Sequence, residues 1–278
     1  MSGDIVVYTA VFNDYDVLLQ PEVTPSNVDF ICFTDEKDIA KGVWEPHLIN
    51  EYEISPKLMS GKVKTLPHQF FSEYDYSVWV DGNIHIIGDI RKVLKECLQD
   101  QESNMAVPSH PRRSCIYDEA EACIRLDKAD PERIRAQMKR YRNLGFPEEY
   151  GLSETRILLR KHNEEEVVEA MGTWWKEYKK GAERDQLSFE FAAWKCDFEY
   201  KNWVVDYENS EYFRLYPHKI SNERFGDVWE LLLRTQAKRS GTSARLLELS
   251  RGALGIYADE GLIPLLRKAS DFLWKNKR

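Results

Sequence analysis

The sequence predicts an α/β fold, a mainly parallel central sheet flanked by helices, with a C-terminal helical extension. Three observations predict it. Short contiguous runs of β-prone residues recur at residues 5–8, 29–33, 77–80 and 105–107, the pattern of strands buried on both faces. Apolar residues at helical spacing appear between those runs, and a strand–helix–strand order leads to parallel neighbours. Beyond about Tyr200 the composition shifts, and helical periodicity takes over at 227–239, 243–254 and 262–277.

Taken in order, residues 4–12 (DIVVYTAVF) read as a first buried strand, followed by the polar loop Asn13-Asp14-Tyr15-Asp16. A second strand at 29–33 closes on Thr34-Asp35. A weaker third lies at 43–49, where Pro46 points to an edge position because proline cannot donate to a ladder. The first helix spans 55–71. Ser55 suits its cap and Pro56 its first turn, and Pro67 must kink or shorten its end. Met59, Val63, Leu66 and Phe70 face the sheet, while Lys57, Gly61, Lys64 and His68 form a separate stripe. The strand 77–80 follows, then a short helix at 89–98, a strand at 105–107, helices at 115–126 and from Asp130-Pro131, a strand at 155–160, a helix at 164–178, and a helix through Phe191 and Trp194. In open sheets of this kind ligands sit off the carboxyl ends of the strands. Residues 9–12, Asp35 and 81–83 therefore converge on one rim.

That rim carries the most informative stretch. The strand Ser77-Val78-Trp79-Val80 stops at Asp81-Gly82-Asn83. A carboxylate at the end of a buried strand is costly unless something pairs with it. The glycine lets two oxygen-bearing side chains turn toward one hard cation. This is the chemistry of a DXD-like motif, in which Mg²⁺ or Mn²⁺ (manganese) bridges protein and diphosphate, with Asn83 in place of the second acid. Asp-Gly-Asn is equally good β-turn material. Asp185 and Gln186 stand at a helix start, where backbone amides favour an acid. Capping alone explains Asp185 but not Arg184 and Gln186 beside it. His218 lies in the loop Tyr216-Pro217-His218-Lys219 and is a potential metal ligand.

Composition excludes several classes. The 278 residues carry a formal charge of −8, which argues against general nucleic-acid affinity. Five cysteines, odd in number and without a CxxC pair, fit reduced thiols rather than a disulfide framework or a zinc site. The first residues lack a basic-then-apolar leader and no apolar run is long enough to span a bilayer. The expectation is a cytoplasmic protein. The last helix has an apolar stripe through Leu262, Leu265, Leu266, Ala269, Phe272 and Leu273 with basic flanks. Packing, pairing as a homodimer, and peripheral membrane contact all suit such a helix.

With these residues in hand, the chain resembles the GT-A (Rossmann-like) class of nucleotide-sugar glycosyltransferases. More specifically it is similar to a glycosyltransferase-like family long catalogued as a domain of unknown function, which includes plant mucilage-related proteins. The motifs are VYTAVFNDYD (7–16), FICFTD (30–35), KVKTLPHQFF (62–71), VWVDGNI (78–84), SHPRRSCIYDEAEACI (109–124) and RDQLSF (184–189). The resemblance implies a GT-A-like catalytic domain over 1–222 and leaves 223–278 as the extension. It implies transfer of a sugar from a nucleoside diphosphate, with a UDP-sugar the first choice, to a glycan or glycoconjugate acceptor in polysaccharide biosynthesis. Asp81, Asn83 and His218 would hold the cation, and Lys62 and Lys64 would meet the diphosphate. Thr9, Ala10 and Asp35 would border the nucleoside, and His110 and Arg113 would contact donor or acceptor oxygens. Asp185 and Gln186 would act at the reacting sugar, either orienting hydroxyls and steadying positive charge or serving as general base. Two other readings stay open: a metal-dependent nucleotidyltransferase or phosphohydrolase, and a non-catalytic carbohydrate-binding protein that kept the fold.

Overall fold

The computed structural model describes residues 3–40, 42–49, 54–216 and 218. The expected helical extension at 223–278 lies outside them. The strands are β1 (Ile5–Val11), β2 (Val28–Thr34), β3 (Trp44–Leu48), β4 (Tyr76–Val80), β5 (Ile84–Ile86), β6 (Met105–Pro108), β7 (Ile157–Arg160), β8 (Lys201–Trp203) and β9 (Phe213–Leu215). The helices are α1 (Pro56–Thr65), α2 (Ile90–Leu94), α3 (Ile116–Arg125), α4 (Pro131–Asn143), α5 (Glu165–Lys180) and α6 (Gln186–Lys195). Among the described residues no helix is long and apolar enough to cross a membrane.

A seven-stranded sheet in the order β3-β2-β1-β4-β7-β6-β8 is flanked by helices. The strands β3, β2, β1 and β4 run parallel. The strand β7 is reversed against both β4 and β6, and β8 is parallel to β6. The expected mainly parallel α/β sheet is therefore present, with one reversed strand inside it. The strand β3 sits at the edge, as Pro46 required. A separate two-stranded sheet pairs β5 with β9.

Alternation along β1 assigns the two faces. Ile5 and Val7 point into one core with Ile90, Val93 and Leu94 of α2. Val6 and Tyr8 point into the other with Val63 of α1, Trp174 of α5 and Phe189 of α6. Each such fully buried side chain contributes roughly 1.5–3 kcal/mol. A third cluster joins α3, α4 and α6 around Tyr141 and Phe191, whose rings stack at 3.7 Å between centroids.

Specific contacts hold both ends of α1. Ser55 Oγ accepts from the Leu58 N–H at the start, and the helix stops before Pro67, which opens a short 3₁₀ turn. The fully buried Arg160 of β7 donates to the Lys64 carbonyl at the other end, 2.9 Å away, and to the Tyr8 hydroxyl. A guanidinium at exposed carbonyls of a helix C-terminus is favourable. It fixes the last turn of α1, which carries Lys64, against the sheet.

Candidate active site

Pairing registers bring the chemistry-bearing residues to one rim. Val80 at the end of β4 lies opposite Ile157, the first residue of the reversed β7. The segment before β7 therefore reaches the rim from a strand start, and Asp81 N–H donates to the Arg156 carbonyl at 2.9 Å. The end of β6 arrives at the same side, where His110 N–H bonds to the Leu152 carbonyl at 2.8 Å.

At the centre is Lys64, with a side chain 7% exposed. Its Nζ lies 3.1 Å from Asp81 Oδ1 and 2.5 Å from Asp185 Oδ2. Asp81 Oδ1 also accepts from the Trp79 indole N–H at 2.8 Å, and Asp185 Oδ2 from Thr155 Oγ1 at 2.9 Å. Burial works to raise the Asp185 pKa, but the positive charges of Lys64 and Arg184 outweigh it and hold the acid well below the usual carboxylate range. Burial works to lower the Lys64 pKa, and the two acids reverse that, so the ammonium stays charged. One ammonium thus anchors both carboxylates. Asp185 occupies the cap position of α6, but its side chain makes no capping bond. The capping explanation offered by the sequence is corrected: Lys64 and Thr155 have taken the carboxylate.

Beside Asp81, Asn83 is buried. Its Nδ2 donates to the Tyr216 carbonyl at 2.8 Å, while its Oδ1 is buried without a hydrogen-bond partner. His218 approaches from the far end of the described chain. Its Nδ1 lies 3.0 and 2.9 Å from the two oxygens of Asp16, and its Nε2 is 3.4 Å from Asn83 Nδ2. A carboxylate facing Nδ1 favours the tautomer with the proton there, leaving the Nε2 lone pair toward the rim. Gly82 makes room for this group, since a Cβ on it would lie 3.0 Å from Asp16 Cβ and Oδ2. Among the described residues no three His, Cys, Asp or Glu side chains are gathered to hold a metal ion by themselves.

The remaining expected residues are placed more widely. Thr9 is fully buried with an unpartnered Oγ1, so it lies under the rim rather than in it. Ala10 is half-buried. Asp35 grips the Asn13 N–H with both oxygens at 3.1 and 3.0 Å. It thereby steadies the loop after β1, in which Asn13 and Asp14 take positive φ of 54° and 53°. Lys62 is half-buried and has no ion pair among the described residues. His110 Nδ1 accepts from the backbone N–H groups of Arg112 and Arg113, and Arg113 Nε lies 2.5 Å from Glu119. Burial pushes the His110 pKa down to about 4. Gln186 Nε2 donates to the Ser153 carbonyl at 3.1 Å.

Sequence reading brought Lys64, Asp81, Asn83, Asp185 and His218 into view, and the structure gathers them. It missed Asp16, Thr155 and the indole of Trp79. Asp16 carried a usable signal, since it closes the loop leaving the first strand, at the rim where ligands were expected.

With this geometry established, comparison with known proteins gives four findings. The family described as TOD1/MUCI70, glycosyltransferase-like domain matches residues 1–218. The chain is 28% identical over 253 residues to the probable hexosyltransferase MUCI70 of Arabidopsis thaliana, covering 80% of this chain and 43% of that protein. It is 27% identical over 220 residues to the alkaline ceramidase TOD1 of Arabidopsis thaliana, covering 67% of this chain and 47% of that protein. The chain therefore spans less than half the length of each of these relatives. Among solved structures, the apo structure of the bifunctional glycosyltransferase WbbM is similar with a TM-score of 0.46 and 11% identity, over 75% of this chain and 40% of that one.

Proposed function

The chain belongs to the TOD1/MUCI70 glycosyltransferase-like domain family, and from that premise we propose that it is a hexosyl- or pentosyltransferase using a nucleoside-diphosphate-sugar donor, with a UDP-sugar the first choice. The acceptor is a hydroxyl of a glycan or glycoconjugate. The observation that carries the reading is the pair of anchored carboxylates: Asp81 and Asp185, from distant parts of the chain, held on one buried ammonium at the rim of the sheet.

Each residue has a task in this reading. Asp81 and the unpartnered Oδ1 of Asn83 offer oxygens that suit Mg²⁺ or Mn²⁺, and His218, oriented by Asp16 at Nδ1, offers an Nε2 lone pair beside Asn83. This donor set fits a cation that takes one carboxylate from the protein and the rest of its shell from substrate phosphates and water. When bound, such a cation neutralises charge developing on the departing diphosphate. Asp185 is held so firmly ionised that it has little affinity for a proton, which disfavours it as a general base. Its fixed negative charge is better suited to steadying the positive charge that grows on the anomeric carbon. Gln186 stands next to it for the sugar hydroxyls. Lys64 keeps both acids in position, and Lys62 is left to meet the diphosphate.

A thermal-shift screen of nucleotide sugars with and without Mn²⁺ tests the proposal, since a ligand selective for the native state raises its melting temperature. The largest shift is expected for a uridine-type donor with metal, and Asp81→Ala should abolish it. Equal shifts for both proteins would remove Asp81 from the mechanism. The name of the second relative favours one rival, hydrolysis of an amide-linked lipid. Release of nucleoside diphosphate from the donor supports transfer. Release of fatty acid from ceramide supports the rival, and release of pyrophosphate or free phosphate would mark a nucleotidyltransferase or phosphohydrolase.

A further inference from the structure

Arg184 is a cation at this rim that makes no ion pair among the described residues and has a buried N–H to satisfy. Its Nε is buried without a hydrogen-bond acceptor. The acids whose charges act on it are committed elsewhere: Asp185 is held by Lys64 and Thr155, and Glu119 by Arg113 at 2.5 Å. Its polar neighbour is the Cys123 thiol, a weak acceptor. Among the described residues Arg184 makes no ion pair, whereas Lys57, Arg113, Arg133 and Arg140 all do.

A buried guanidinium N–H left without an acceptor is costly to a folded protein. Such a group is retained where an anion arrives to complete it. Arg184 precedes Asp185 at the start of α6, and its charge acts on Tyr15 together with those of Asp16 and Asp81. It therefore belongs to the site already described. Lys64, one of the two lysines expected at the leaving group, is spent on two carboxylates.

We propose that Arg184 receives the diphosphate of the donor, its planar fork taking two phosphate oxygens. This rests on the transferase reading of the site and adds, beside Lys62, an anion contact from a residue outside α1. Bidentate guanidinium–phosphate contacts are shorter and stronger than neutral hydrogen bonds. A lysine at the same place would keep the charge but lose the fork.

Titration calorimetry of the full chain with inorganic diphosphate and Mg²⁺ tests this. Arg184→Gln should weaken binding by roughly 10- to 100-fold and Arg184→Lys by less. The melting temperature of the ligand-free Arg184→Gln protein should stay nearly level, because the loss of its charge beside Asp185 is offset by removal of a buried, unmatched N–H. An unchanged diphosphate affinity in Arg184→Gln overturns the proposal, as does a lower melting temperature with intact binding, which marks a purely structural role. Loss of glucuronate binding with diphosphate binding intact would assign the anion to an acidic sugar and also overturn it. Asp81→Ala in the same titration separates the two levels. If that variant loses diphosphate while Arg184→Gln does not, the transferase reading stands and the role of Arg184 falls. If the wild type binds no diphosphate, both fall.

Discussion

Lys64 decides the electrostatics of the rim residue by residue. Removing it takes away the ammonium that Asp81 and Asp185 share, and breaking a buried pair from one side costs about 3–5 kcal/mol. Lys64→Met should lower the urea unfolding free energy by that amount, whereas Lys62→Met should change it by less than about 0.5 kcal/mol, as surface substitutions do. The Asp185 carboxylate carries a pH signature. Its folded pKa lies below its ordinary value of 3.8, so its stabilising contribution is complete above that pH and is lost as pH falls below it. Lys64→Met should flatten the acid limb of a stability profile below pH 3.8. Each member of this triad was visible in the sequence, but as a separate suggestion: a strand-end acid, a helix-stripe lysine, a cap. Lys64 and Asp185 are 121 positions apart, and no local pattern encodes a contact at that range. Arg184 shows the same limit, because burial without a partner exists only in three dimensions.

Among the elements, α1 and the β5–β9 pair position the site, and each leans on a glycine. A Cβ on Gly61 would overlap the ring of Tyr178 on α5, so α1 lies close to its neighbour only because that position is bare. Gly61→Ala should cost about 1–3 kcal/mol by overpacking, measurable as a lower urea midpoint. It should also weaken donor-dependent thermal shifts by moving Lys64. A Cβ on Gly88 would meet the Glu211 carbonyl backbone, next to the bond from Ile87 N–H to the Tyr212 carbonyl at 2.8 Å. Gly88→Ala should speed amide exchange across 213–215 and spare β1 and β4. Most elements were legible because contiguous β-branched runs and capped helical stripes are strong local signals. The strands β5, β8 and β9 were not, since three residues each, Ile-His-Ile, Lys-Asn-Trp and Phe-Arg-Leu, are too short to establish a period. The direction of β7 was equally hidden, as its Ile-Leu-Leu core reads the same either way.

At the scale of the whole molecule, two buried imidazoles link stability to pH in a second window. Burial pushes His110 and His162 down to about 4 from an ordinary 6.5. The unfolded chain therefore takes up these protons first, and stability falls as pH drops from 6.5 toward 4. At ~1.4 kcal/mol per unit each imidazole accounts for about 2 kcal/mol between pH 6.5 and 5. Urea unfolding at pH 7.5 and 5 should show this loss, and His162→Asn should remove part of it. The reversed strand β7 has a broader consequence. The long excursion between β6 and β7, which contains α3 and α4, leaves the rim at the end of β6 and returns to it at the start of β7. Descendants of this architecture can rebuild that excursion, and with it one side of the rim, without disturbing the four parallel strands on the other.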